Sequence, residues 1–448
     1  MKRNMVKNMN KPGNDIVFSD EMMQTIRGKF HNVDSDPLRP GRRVFFENAG
    51  GAFRLKTALE AFSILDGIPD CPERAHQTAT HLNDVMAAGE RDMRVIFGAR
   101  KEGRLIKSLT ASQGIFSLTQ TVVENTPGSS VVTTALEHPC AFDSAKFFAE
   151  KTGKEFRVAK TNPETGGVDP EEIARLVDGN TSLLSVLFAS NISGAILDIA
   201  AIVKACRAKN PDLFIICDSV QHVPHGVVDV DGLGIDGAFF APYKFFGVRG
   251  SGIGYASDRL SKLPHPRLAG KDVMTWDLGS PAPAHYAVIT MIVDYVCWLG
   301  GMTIASNDRR ELFVAGMNQI KIRERALMQR ILDGTGNQPG LRKMEGVTVH
   351  LDHPDLTRRD FIIAISLSNW GYAEAVKEYE KRGILVFERV NTSIYSKRML
   401  ESFGMEGAIR VSPVHCNSME EIDIFLKETE DMVNSRRVER VSGSRTIH

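Results

Sequence analysis

The 448-residue chain has no net charge: Lys plus Arg and Asp plus Glu number 55 each, and the pI is near 7.2. That balance removes the electrostatic case for a nucleic acid or an anionic membrane as partner. Cysteine is scarce, and Cys71, Cys140, Cys206, Cys217, Cys297 and Cys416 form no CxxC pair. This argues against a disulfide framework or a zinc ribbon, and the expected location is a reducing cytoplasm. Long apolar runs are also missing. The longest, "AVITMIVDYVCWLG", is interrupted by Asp294 and is too short to span a bilayer, so it reads as a buried helix. The basic opening "MKRNMVKNMNKPGND" has no apolar stretch behind it, which argues against a secretory signal. No G-x-G-x-x-G precedes a helix-like segment, which speaks against a nucleotide-dependent Rossmann enzyme. There is no internal repeat and no low-complexity segment.

What remains has the composition of a globular protein, 42% hydrophobic and 25% charged, at a length that suggests two domains. Between about residues 100 and 257, β-rich runs alternate with helical segments. "SSVVTTALEH", "KEFRVAK", "SLLSVLFAS" and "DLFIICD" read as strands, and "AFDSAKFFAEKTG", "VDPEEIARLVD" and "IAAIVKACRAKN" as helices. Asp169 is the expected N-cap of the second helix, with Pro170 at its first position and Glu172 at N3. Such alternation implies an α/β fold with a mainly parallel sheet flanked by helices. Past residue 300 the pattern becomes a long helix, strands "GVTVHL" and "FIIAISL", helix "YAEAVKEYEKRG" and strand "ILVF". A last helix opens at "SMEEIDIFLKETEDMV", with Ser418 and Glu421 as a capping box. The expected division is a loose N-terminal arm over 1–40, a large domain over 41–300, and a smaller α+β C-terminal domain over 301–448 that ends in a polar tail.

In open α/β sheets, ligands bind beyond the carboxyl ends of the strands. The polar residues left there are Asp218 after "LFIIC", Lys244 in "GAFFAPYKFFGVRGSGIGYAS", His138 after "VVTTALE" and Asn191 after "LLSVLFAS". Ser112 and Gln113 precede the helical run "GIFSLTQTVVEN", whose N-terminus would favour a phosphate. A lysine between two apolar runs is either a snorkelling side chain or a nucleophilic amine. One cofactor uses the whole set. Pyridoxal phosphate (PLP) requires a lysine, a carboxylate at its ring nitrogen, a stacking partner and phosphate donors. No metal is expected, because Pro224 breaks the helical spacing that His222 and His225 would need. The glycines of "GVRGSGIG" precede a strand, so they read as close-packing positions.

"CDSVQHVPHGVVDV" and "IDGAFFAPYKFFGVRGSGIGYAS" together resemble the class V aminotransferase group of fold-type I PLP enzymes. That group includes cysteine desulfurases, selenocysteine lyases, isopenicillin-N-epimerase-like proteins and kynureninases. The resemblance runs from "VFFENAGGA" at residue 44 to "IRVSPVHCNSMEEIDIFL" near residue 425. It implies that Lys244 is the Schiff-base lysine, Asp218 the partner of the pyridine nitrogen, and His138 the residue stacked on the ring. It also implies that Gln221 reaches the phenolic oxygen and that Asn191 lies beside the cofactor. Ser112, Gln113 and Tyr243 would serve the phosphate, and Ser280 in "WDLGSPAP" would serve the phosphate of the neighbouring subunit in a homodimer. Arg410 in "AIRVSP" matches the arginine that grips a substrate carboxylate, and Gly50 would line the substrate pocket. Tyr243 stands where desulfurases usually have histidine. The segment resembling the desulfurase's cysteine loop, "FERVNTSIYSKRM", contains no cysteine. A persulfide-forming desulfurase is therefore not expected. The implied activity is removal of the Cα proton of a small amino acid followed by β-elimination, a C–S or related C–X lyase. A class V aminotransferase, an amino-acid epimerase and a non-catalytic PLP-binding protein are the alternatives.

Overall fold

The protein is described by a computed structural model over residues 18–38 and 40–443. The strands in chain order are β1 (Val44–Phe45), β2 (Gly103–Ser108), β3 (Ser130–Thr134), β4 (Glu155–Ala159), β5 (Thr181–Leu187), β6 (Phe214–Asp218) and β7 (Gly237–Phe240). They continue with β8 (Gly252–Ser257), β9 (Val347–His350), β10 (Ile363–Leu367), β11 (Ile384–Leu385), β12 (Phe387–Val390) and β13 (Gly407–Val411). Seven form the central sheet in the order β2-β8-β7-β6-β5-β3-β4. The β4, β3, β5, β6 and β7 neighbours are parallel, and β8 runs antiparallel to both β7 and β2.

Residues of β3, β5 and β7 are buried without exception, because helices cover both faces of the sheet. The side chains divide by the two-residue period of a strand. Val131, Leu183, Ile216 and Phe239 pack with Ile115, Leu118 and Phe148 of helices Ala111–Asn125 and Pro139–Lys151. Val132, Leu184, Ile215, Cys217 and Phe240 face the opposite way, into a core that includes Phe97, Ile202 and Ile292. The apolar run over 287–300 lies within the buried helix Pro283–Gly300. Its one acid, Asp294, leaves that core and pairs with Arg309 at 2.7 Å. Among the described residues, no helix is long and apolar enough to cross a membrane.

A second, antiparallel sheet has the order β12-β13-β10-β9. Its core gathers Phe361, Ile363, Ile365, Tyr379, Ile409 and Phe425. Helix Arg309–Asp333 serves both cores, giving Phe313, Met317 and Ile320 to the first and Leu327, Met328 and Ile331 to the second. Residues 44–46 join the second core: β1 pairs in parallel with β11, and Val44 and Phe46 are buried there. The capping box forms, with the Ser418 N–H donating to Glu421 Oε2 at 2.7 Å and the Glu421 N–H to Ser418 Oγ at 3.1 Å.

Four expectations change. "ILVF" is not one strand: Ile384–Leu385 pairs with β1, while Phe387–Val390 pairs with β13, so the chain passes between two sheets at Val386. Asp169 occupies the N-cap position but gives no side-chain cap, because its carboxylate accepts from Asn162 Nδ2 at 2.9 Å. The described part of the N-terminal arm is packed, not loose. Helix Asp20–Gly28 buries Met23 and Ile26, and Arg27 donates to Glu421 at 3.0 Å. Much of the polar tail is helical, since helix Met419–Gly443 continues through it. Residues 1–17 of the arm and 444–448 of the tail lie outside the described residues.

Candidate active site

β6 ends on Asp218, whose register partners are Leu187 at the end of β5 and Phe239 near the end of β7. Ser219 locks this edge by donating both its N–H (3.0 Å) and its hydroxyl (2.8 Å) to Phe239 O. Two residues past β7, a 3₁₀ turn over Pro242–Lys244 begins, and it places the lysine at the strand ends. Phe246 follows with left-handed backbone, φ 64°. That conformation costs a non-glycine residue about 1–2 kcal/mol. Here the ring is packed edge-on against Phe30 at 5.4 Å and His415 at 5.2 Å. Because β8 is antiparallel, the residues that lead into it, Gly250 and Ser251, reach the same rim.

A cavity of about 570 Å³ opens there. Seven of the sequence-derived candidates line it together: Ser112, His138, Asn191, Asp218, Gln221, Tyr243 and Lys244. Burial pushes the Lys244 amine down to about 8, helped by the Arg410 guanidinium and opposed by Asp218. Burial raises the Asp218 carboxyl, while the Val220 N–H (2.9 Å) and Lys244 favour its charged form. Burial, with Lys244 next in effect, pushes His138 down to about 3, so its imidazole is neutral. His138 Nδ1 accepts the Cys140 N–H at 3.2 Å and lies 2.9 Å from its thiol, which leaves the proton on Nε2. The Thr110 hydroxyl caps helix Ala111–Asn125 by accepting the Gln113 N–H at 3.1 Å.

Four candidates lie elsewhere. The Gln113 side chain is exposed and outside the cavity lining. Ser280 is exposed and donates to Glu73 Oε1 at 2.7 Å. Arg410 is buried on β13; its Nη2 donates to Glu47 Oε1 at 2.5 Å and its Nη1 to Asn191 O at 3.2 Å. Gly50 lies against Glu47, whose Oε2 is 2.3 Å from where a Cβ would stand. His222 and His225 each face a carboxylate, His222 Nδ1 to Asp360 at 2.9 Å and His225 Nδ1 to Glu324 at 2.8 Å.

Several residues at the site carried no sequence signal. Glu47 and Arg389 are brought in by the second sheet; Arg389 is buried, donates to Tyr395 O at 2.6 Å, and is held down to about 9 by burial and Arg410. Tyr395 stands 6.3 Å from the His138 ring, centroid to centroid. Arg249 lines the cavity and covers the Tyr243 ring at 4.2 Å. Glu137, one residue before His138, is fully buried, and burial pushes its carboxyl up to about 8. Only the departure of "FERVNTSIYSKRM" from the desulfurase pattern could have drawn attention to Arg389 and Tyr395.

The aminotransferase class V family model matches residues 45–425. The chain belongs to the class V aminotransferase family. Its relatives include a cysteine desulfurase of Haloferax volcanii, 26% identical over 300 residues, covering 62% of this chain and 68% of the relative. A probable cysteine desulfurase 2 of Mycobacterium leprae is 27% identical, covering 60% and 64%. A cysteine desulfurase of Yersinia pseudotuberculosis is 30% identical, covering 43% and 52%. The matched stretches thus span only part of these relatives, from about half to two thirds of their length. Among solved structures, the cysteine desulfurase CsdA of Escherichia coli superposes with TM-score 0.75 at 17% identity, covering 92% of this chain and 98% of that one. The apo cysteine desulfurase of Thermococcus onnurineus NA1 gives 0.74 at 17% identity, covering 88% and 95%. The fold is accordingly that of a fold-type I enzyme.

This class V enzyme uses PLP. Its cavity fits such a group. Beyond the lysine and the carboxylate, Asn191 Oδ1 and Gln221 Oε1 are buried without a hydrogen-bond partner. A buried carboxamide oxygen left unpaired is costly, and a group with both donors and acceptors at that place, toward which the carboxamides turn, reduces that cost.

Proposed function

We propose that the protein is a lyase that breaks a Cβ–S or related Cβ–X bond of a small amino acid, with PLP carried on Lys244. The observation that carries this reading is the meeting of Lys244 and Asp218 in one cavity while no thiol is available for a desulfurase cycle. Segment 387–399 has no cysteine, and Cys416 is fully buried in the core beside His415. Cys140 does line the cavity, but burial holds its thiol far above the ordinary range. A thiolate is the form that attacks sulfur.

When bound, the cofactor supplies an electron sink for the pair left behind at Cα. The other tasks fall to the chain. Asp218 holds a proton on the ring nitrogen by its charge, since an opposite charge within about 4–6 Å shifts a pKa by roughly 1–3 units. Lys244 Nζ takes the Cα proton, a role suited to an amine whose pKa is near 8. The neutral His138 imidazole offers a flat face, and its Nε2–H remains available as a donor. Gln221 and Asn191 present their carboxamides to the ring substituents, an amide N–H to an oxygen that accepts and an amide oxygen to a group that donates. Ser112, the first N–H groups of helix Ala111–Asn125 and the Tyr243 hydroxyl receive the phosphate. Arg410 takes the substrate carboxylate beside Gly50. In a homodimer, Ser280 would serve the neighbouring subunit's phosphate.

Three measurements test this. A panel of amino acids should give ammonia and keto acid without any added keto-acid acceptor. Strict dependence on an acceptor would establish the transaminase instead. A protein that holds PLP while no amino acid perturbs its spectrum would be a binding module. Lys244→Ala should abolish turnover and covalent attachment, and borohydride fixation of PLP to that variant would overturn the lysine assignment.

A further inference from the structure

Arg410 is already engaged by a carboxylate of its own chain. Glu47 Oε1 sits 2.5 Å from Arg410 Nη2, with the guanidinium side chain 4% exposed and the carboxylate side chain 24% exposed. The pairing is built by backbone. A parallel bridge joins Glu47 to Ser412, the Asn48 N–H donates to Ser412 O at 3.1 Å, and the Ser412 N–H donates to Phe46 O at 2.7 Å. Asn48 Nδ2 adds a bond to Ser412 O at 3.1 Å. The backbone of Glu47 is thus fixed two residues along from Arg410. Gly50 completes the arrangement: both Glu47 oxygens lie within 2.4 Å of where its Cβ would stand, so only glycine leaves room for this rotamer. Meanwhile Arg410 Nε is buried with no partner. Nη1 donates to Asn191 O, so Nη1 and Nη2 are both engaged. A substrate carboxylate that takes the Nε–Nη2 edge bidentately competes with Glu47 for Nη2. Glu47 is the more exposed partner and can turn outward.

We propose that Glu47 is an internal stand-in for the substrate carboxylate, and that a ligand enters the Arg410 subsite by exchanging with it. The consequence is a specificity device. The site charges every carboxylate ligand the free energy of separating Glu47 from Arg410, and ligands lacking a carboxylate gain nothing from the exchange. This inference rests on the reading of Arg410 as the carboxylate-binding residue. It names Glu47 as a positioning residue that raises the apparent dissociation constant.

The test uses the full chain loaded with PLP and propionate as probe, a carboxylate with no amine to react at the cofactor. Propionate affinity is measured by calorimetry, and the visible absorbance of the cofactor is recorded on the same samples. Glu47→Gln should tighten propionate binding about tenfold, equivalent to about 1.4 kcal/mol, and Arg410→Ala should abolish it in both backgrounds. Glu47→Ala, which removes the carboxylate and leaves its space open, should act in the same direction as Glu47→Gln and guards against a variant that fails to fold. Unchanged or weaker binding in both Glu47→Gln and Glu47→Ala overturns the exchange, as does binding that survives Arg410→Ala. Loss of the cofactor band would instead count against the proposed function, because the calorimetric comparison of the variants stands without it.

Discussion

The depressed basicity of Lys244 can be tested directly. Burial lowers the amine from an ordinary 10.5 to about 8, with Arg410 adding to the effect and Asp218 opposing it. At pH 7 an ordinary lysine is neutral in only about 3 molecules per 10,000, whereas an amine at about 8 is neutral in roughly one tenth. The difference is about 300-fold in nucleophilic amine. Stripped protein mixed with PLP should therefore take up the cofactor at a rate that rises about tenfold per pH unit and levels off near pH 8. Arg410→Ala removes the second-largest cause of the shift, so its bend should move to higher pH. Asp218→Asn should move it lower. Stopped-flow absorbance between pH 6 and 10, at about 0.5-unit steps, resolves the bend. A rate in the unaltered protein that still climbs through about pH 10 would mean that Lys244 behaves as a solvated lysine, and the electrostatic reasoning would fail.

Three other outcomes follow from the packing and the buried acid. The Phe239 ring lies between two glycines, 2.1 Å from where a Cβ on Gly114 would stand and 2.3 Å from one on Gly254. Gly114→Ala should cost roughly 1–3 kcal/mol in urea unfolding, and Phe239→Leu in the same chain should recover part of it; additive losses would refute the steric account. Glu137 is held up to about 8, so its neutral form is the folded one. A raised carboxyl stabilises fully below its ordinary 4.5 and loses that contribution as pH rises towards 8, at about 1.4 kcal/mol per pH unit. Glu137→Gln should flatten this decline, and identical pH–stability curves would show that the acid is ionised in the fold. Finally, Ser418→Ala removes the hydroxyl that accepts the Glu421 N–H, and should cost about 1 kcal/mol by thermal unfolding.

The interior strands were readable because a sheet covered on both faces demands unbroken apolar runs, and "SLLSVLFAS" and "DLFIICD" are such runs. Their ends were readable too, since an isolated acid or amine after such a run has nowhere to go but the rim. The division of "ILVF" was not. Strand propensity is the same whichever sheet receives the residues, and only the pairing of β11 with β1 and of β12 with β13 separates them. Asp169 misled for a related reason: its side chain had a better partner in Asn162, across a loop.

By itself, then, the order of residues determined the alternation of elements, the apolar faces, and the placing of Asp218 at a strand end with Lys244, His138 and Asn191 shortly past theirs. Those are local consequences of period, propensity and burial. The three-dimensional structure alone decided that Glu47 would meet Arg410, that Arg389 and Tyr395 would stand near His138, and that the Lys244 amine would lose basicity. Charge interactions depend on distance and dielectric, and residues 363 positions apart in the chain acquire both only when two sheets are folded together.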